Sequence, residues 1–181
     1  MLKIVLVPAN VLTQPTKPVL KIDDKIKKIV FDMEKILTAQ TDPPGVGLAA
    51  NQVGLDLSIF IIKPTQKAKI KVFINPKVIT RTDLFKTNHK KVRPYKKRVK
   101  LEGCLSIPKI WGQVNRAERI FVHYQNLTGK KYLKWFAGFE AMIIQHEVDH
   151  LNGIVFTQRA VEQKRQLYRE EDGELNKIKL T

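Results

Sequence analysis

The sequence predicts an α+β fold: a single domain of mainly antiparallel strands around a central helix, with further helices near the N-terminal and C-terminal ends. Three observations carry this. Apolar residues recur at helical spacing in two separate segments. The β-rich runs between them follow no regular βαβ alternation. Two of those runs flank a stretch short enough for an antiparallel hairpin. A chain of 181 residues has room for one core that buries roughly 70 % of its unfolded surface. No internal repeat or domain boundary interrupts it, so residues 1–181 read as one unit.

Each element has a local reason. From Lys21 to Gln40, Ile22, Ile26, Ile29, Val30, Met33, Ile36 and Leu37 fall on one helical face, Asp23 and Asp24 suit the first turn, and "TDPPG" ends it. "LSIFIIK" (57–63) and "IKVFINP" (70–76) read as strands, and "RVKLEGCLS" brings a short strand to Cys104. "RIFVHYQN" and "KYLKWFA" flank "LTGK" as a hairpin. Phe139 to Leu151 is expected to be the central helix, "GIVFT" a short strand, and "RAVEQKRQLYREE" a charged final helix.

Composition excludes several classes. Hydrophobic residues at 43% and charged residues at 28% describe an ordinary globular chain. No apolar run approaches the roughly 20 residues that cross a bilayer, and "MLKIVLVPAN" has no secretory cleavage pattern. With a single cysteine there is no disulfide framework, and a reducing, cytoplasmic setting is expected. The formal net charge is +16, concentrated in "KTNHKKVRPYKKRVK" (86–100), which has eight Lys/Arg and no acid. That segment reads as a solvated basic loop or as a contact for phosphate backbones.

The chemistry is written in "QHEVDHLNG" (145–153). His146 and His150 are four apart, so on a helix both imidazoles leave one face, spaced to chelate a divalent cation. Glu147 projects beside them as a candidate general base. A third ligand is needed. In the extended pattern HExxHxxGxxH it would be a histidine, but Phe156 stands there. Glu162, Glu170, Glu171 and Glu174 lie in a charged segment better suited to solvated surfaces. Cys104, a strong soft ligand for zinc or ferrous iron, is the remaining supplier and would leave a coordination position open. "GVGLAANQVG" (45–54) superficially matches a dinucleotide fingerprint. It follows a helix and a turn rather than a strand, and no acid suited to a ribose comes later, so a nucleotide cofactor is rejected.

"GVGLAANQVG", "EGCLS" (102–106) and "QHEVDHLNG", in that order, resemble the three signature motifs of the peptide deformylases, and the likeness extends over nearly the whole chain. The resemblance implies a metal-dependent amide hydrolase that removes the formyl group from N-formylmethionyl nascent peptides and releases formate. It implies Cys104, His146 and His150 as ligands of one ion, ferrous iron in the family, with zinc fitting the same donors. It makes Glu147 the proton-transfer residue, and Gln52 and the Leu105 N–H the donors to the developing oxyanion. Val46, Phe139, Met142 and Ile143 would line the methionine pocket, Gly47 and Gly103 would let the substrate backbone approach, and Glu102 would orient a ligand histidine. Trp111 departs from the arginine often found in bacterial relatives, and the 86–100 segment is longer and more charged than the family pattern. Ribosome contact through the basic surface or the C-terminal helix is a further implication. The rival readings are a metallopeptidase with a ligand other than Cys104, and a basic RNA-binding protein with a decayed site.

Overall fold

A computed structural model describes residues 2–82 and 101–179, so the basic segment 86–100 lies outside the described residues. Helix α1 spans Asp24–Ala39. Its first turn is capped by Asp23, whose carboxylate accepts a hydrogen bond from the Ile26 N–H at 3.0 Å. Ile26, Val30, Met33 and Leu37 form its buried stripe, each contributing about 1.5–3 kcal/mol by burial.

That stripe packs on a five-stranded antiparallel sheet of order β1-β2-β3-β6-β7: β1 Gly47–Ala49, β2 Ile59–Ile62, β3 Lys71–Thr82, β6 Arg119–Gln125 and β7 Lys131–Ala137. β2 explains the layering. Ile59 and Ile61 face the α1 cluster, while Phe60 and Ile62 face a second cluster built on helix α2 (Gly138–Leu151). A strand covered on both faces reads as an unbroken apolar run, as "IFII" does. α2 is the expected central helix, and its Ile143, Ile144 and Val148 pack on Phe60, Phe73, Ile120, Val122 and Phe136. The expected hairpin is β6–β7, with Phe121 opposite Trp135.

A second antiparallel sheet has the order β4-β5-β8-β9, from β4 Leu101–Cys104, β5 Ile107–Gln113, β8 Leu167–Glu171 and β9 Glu174–Lys177. It corrects the expected C-terminal region. "GIVFT" is no strand, because Phe156 opens helix α3 (Phe156–Glu162). The charged helix expected over 159–171 stops at Glu162, and Leu167–Glu171 enters the sheet against β5 instead. Leu167 buries against Phe156 and Ala160, a contact a solvated helix would not make. Asp172 and Gly173 both take positive φ (51° and 81°), as the tight β8–β9 turn requires. Among the described residues, Leu167–Glu171 and Glu174–Lys177 thus form a hairpin where the charged helix was expected. No helix among the described residues is long and apolar enough to cross a membrane.

Candidate active site

The two sheets each present an edge to the same place. β1 is an edge of the first and β4 an edge of the second. Between them α2 supplies His146, Glu147 and His150, all buried. Gly103 pairs with Trp111 but Cys104 with Ile107, so the register breaks at the thiol with the extra residues on β5, the kind of local irregularity that re-aims side chains near a site. The Cys104 Sγ lies 3.2 Å from His150 Nε2. One ligand atom from each of Cys104, His146 and His150 falls within 4.8 Å of the others. The donor set suits a divalent cation of the zinc or ferrous type with a position left open.

Neighbouring groups orient these donors. His146 Nδ1 is 3.0 Å from Glu102 Oε2, which directs Nε2 toward the cluster. Glu102 also accepts two hydrogen bonds from Arg116, both at 2.9 Å. Arg116 reaches on to Asp149 at 2.5 Å, and Asp149 accepts from Arg159 at 2.9 and 3.2 Å. Burial alone would raise the Glu102 carboxyl, but its His146 and Arg116 hydrogen bonds outweigh that and hold it at about 2. At His146 burial opposes charge, yet hydrogen bonds to Cys104 and Glu102 raise its pKa well above the ordinary imidazole range. At His150 burial, then the charge on His146, lowers it. Burial pushes Glu147 up to about 7, and its Oε2 is buried with no partner among the described residues.

Gly47 is what lets Glu147 sit there. A Cβ at position 47 would overlap the Glu147 carboxylate, 2.8 Å from its Cδ, and come within 3.0 Å of Ile143. Gln52 lies in a short 3-10 turn (Ala50–Val53) immediately after β1. Its Oε1 accepts from the Ala49 N–H at 2.9 Å, which leaves Nε2 directed at Cys104 Sγ and Ser106 Oγ, both at 3.3 Å.

The sequence model of the polypeptide deformylase family matches residues 1–166. The chain belongs to that family. The peptide deformylase of Borreliella burgdorferi is 37% identical over 155 residues, covering 86% of this chain and 85% of that protein. That of Brucella suis is 33% identical over 167 residues, covering 91% and 87%. Among solved structures, a peptide deformylase from Legionella pneumophila is 30% identical with a TM-score of 0.74, covering 88% of this chain and 85% of that one. One from Plasmodium falciparum is 32% identical with the same TM-score of 0.74, covering 90% and 89%. Polypeptide deformylases are metal-dependent hydrolases that remove the N-formyl group from nascent peptides, and this chain is an enzyme of that class.

Within the deformylase fold the expected site residues largely converge. Cys104, His146, His150, Glu147, Gln52 and Gly47 meet at the two sheet edges, and Leu105 opens the turn from β4 to β5. Val46 packs in the same apolar cluster as Ile143. Met142 is half-buried and Phe139, in the first turn of α2, is 36% exposed, so these two stand toward the open end of the helix face. A cavity of about 570 Å³ opens beside Val46, between the end of α1 and residues 63–66. Phe156, which occupies the position of a third histidine, is buried with its ring stacked 6.0 Å from His146 as part of the wall. Sequence reasoning missed Arg116 and Asp149. Asp149 had a signal, lying inside the motif beside His150; Arg116 had none, since its partners are remote in sequence.

Proposed function

We propose that residues 1–181 act as one catalytic domain that hydrolyses the formyl amide of N-formylmethionyl peptides, with Cys104, His146 and His150 holding one divalent ion. The observation that carries this is the gathering of a thiol and two imidazoles within 4.8 Å beside a buried, half-unpartnered carboxylate. Ferrous iron is the ion the family resemblance implies, and zinc suits the same donors; either would make water nucleophilic near neutral pH. Glu147 takes the proton of the attacking water and delivers it to the amine as the formyl C–N bond breaks and formate leaves. The Gln52 amide and the Leu105 N–H donate to the oxygen that gains charge, a fixed arrangement that is typically worth about 2.7–4 kcal/mol per donor.

The substrate backbone runs extended between the β1 and β4 edges, past Gly47 and Gly103. Side chains of an extended peptide alternate in direction. The methionine turns toward Val46, Met142, Ile143 and Phe139, so the next residue turns toward the opposite face. There Trp111, paired with Gly103, lays its ring where a Gly103 Cβ would meet it at 2.9 Å. The Trp111 ring N–H donates to Glu170 at 2.6 Å, so the C-terminal hairpin holds it. Trp111 is therefore a platform for the residue after methionine. The bacterial-type cytoplasm, where formylated chains are made, is the proposed compartment, and the basic surface the proposed route to the ribosome.

The test is formate release from a formyl-Met peptide by the wild type, Glu147→Ala and Cys104→Ser, with metal content measured on each. Glu147→Ala keeps metal and loses turnover; Cys104→Ser loses most of its metal. Full metal occupancy and activity in Cys104→Ser would overturn the ligand assignment. A preference for internal peptide bonds over the formyl amide would favour a metallopeptidase.

A further inference from the structure

The α1 side of the first sheet is only partly covered. α1 packs over β1, β2 and the start of β3, while at the β6–β7 end of the same face Phe121 and His123 are half-buried and Leu133 and Trp135 exposed. On β6 and β7, Ile120, Val122, Tyr124 and Phe136 point to the α2 core, so Phe121, His123, Leu133 and Trp135 alternate to the outside. Leu133 is 55% exposed and Trp135 45%. Phe121 and Trp135 are tilted against each other with ring centroids 5.0 Å apart, and the Arg119 guanidinium lies 5.0 Å from the Trp135 ring. Register places Lys77 of β3 beside His123, and Lys131 beyond Leu133 on β7. Lys77, Arg119 and Lys131 form no ion pair among the described residues, and β3, β6 and β7 contain no Asp or Glu.

We infer that this aromatic and cationic sheet face is a docking platform for single-stranded RNA. Charge selects the occupant. A second copy of a chain with net charge +16 would bring two all-basic faces together, and the chain's own 86–100 segment carries the same sign. A polyanion complements the face. Geometry points the same way: the tryptophan is held against a phenylalanine and an arginine along a sheet surface, which suits stacking with bases rather than insertion into lipid. The face also lies opposite α2, so RNA there leaves the metal-ligand cluster open to peptide. Since a nascent peptide is presented by an RNA-rich particle, the platform would hold the enzyme where its substrate emerges.

The experiment uses the full chain and a labelled twelve-nucleotide oligouridine, with binding followed by anisotropy and by tryptophan fluorescence over a salt series. Trp135→Ala is expected to weaken binding about tenfold, within the range for loss of one base–aromatic stack. Lys77→Gln with Lys131→Gln is expected to flatten the slope of log Kd against log salt by about 1.4, the single-strand value for two phosphates. Deformylation of a formyl-Met peptide should be unchanged in both variants. Unchanged RNA affinity in Trp135→Ala, tighter binding of anionic phospholipid vesicles than of RNA, or a wild-type dimer that Trp135→Ala dissolves would each overturn the proposal.

Discussion

Arg116 is the residue on which the metal-ligand geometry should depend most without any contact to the metal site itself. Its side chain is 9% exposed, and its carboxylate partners Glu102 and Asp149 are 3% and 6% exposed. Replacing it by methionine keeps the packing volume and removes the cation. Glu102 then retains only His146, and Asp149 only Arg159, whose side chain is 30% exposed. Removing one partner of a buried ion pair costs about 3–5 kcal/mol, because the other charge is left uncompensated. For a chain of this length each kcal/mol moves Tm by roughly 2–4 °C, so Arg116→Met should melt about 6–20 °C below wild type. Glu102 would also lose the two bonds that fix the carboxylate orienting His146, and metal affinity should fall about 10–100-fold. Calorimetry of the metal-free protein reads the first effect, and competition with a chelator the second. Adding Glu102→Gln to Arg116→Met removes an orphaned charge, so it should restore part of the Tm while leaving metal affinity low. Arg116→Met with Tm within about 2 °C of wild type and undiminished metal affinity would refute the reasoning.

Three further outcomes follow from the same geometry. Gly47→Ala should reduce kcat/KM about 10²-fold at unchanged metal content, because the new methyl must displace the Glu147 carboxylate by a sizeable fraction of an ångström; a loss under about threefold would show that Glu147 is not held by this contact. Trp111→Ala should raise KM by roughly 2–12-fold for formyl-Met peptides with an aromatic second residue, and leave formyl-Met amide untouched; equal effects on both substrates would remove it as a platform. Reloading metal-stripped protein with ferrous iron or zinc at about 100 times Kd should raise Tm by roughly 5–11 °C, a shift that Cys104→Ser should lack and that differential scanning calorimetry measures directly.

Local elements were legible because their signals are local. The α1 stripe, the β6–β7 hairpin and the paired histidines of α2 each follow from spacings of a few residues. The C-terminal region was misread because "RAVEQKRQLYREE" has good helix formers throughout, while the deciding contacts are tertiary. Leu167 is drawn into the Phe156 and Ala160 cluster and its strand is paired by β5, an energetic preference that propensity does not contain. β5 itself went unread, since Pro108 and Gly112 break the strand pattern; Pro108 sits near its start, before the pairing with β8 begins at Ile110.

The sequence by itself determined the chemistry: two imidazoles one helical turn apart, a carboxylate beside the first, one thiol, and three motifs in family order. Helix geometry alone brings His146 and His150 together. Only the tertiary structure decided how those pieces become a site. It breaks the β4–β5 register at Cys104 and carries the thiol across 46 residues of sequence to His150, seats Gly47 against Glu147, and runs Arg116 between Glu102 and Asp149. The physical reason is range. A helix repeat is fixed by backbone bonds four residues apart, whereas a buried charge finds its partner only once two sheets have closed around it.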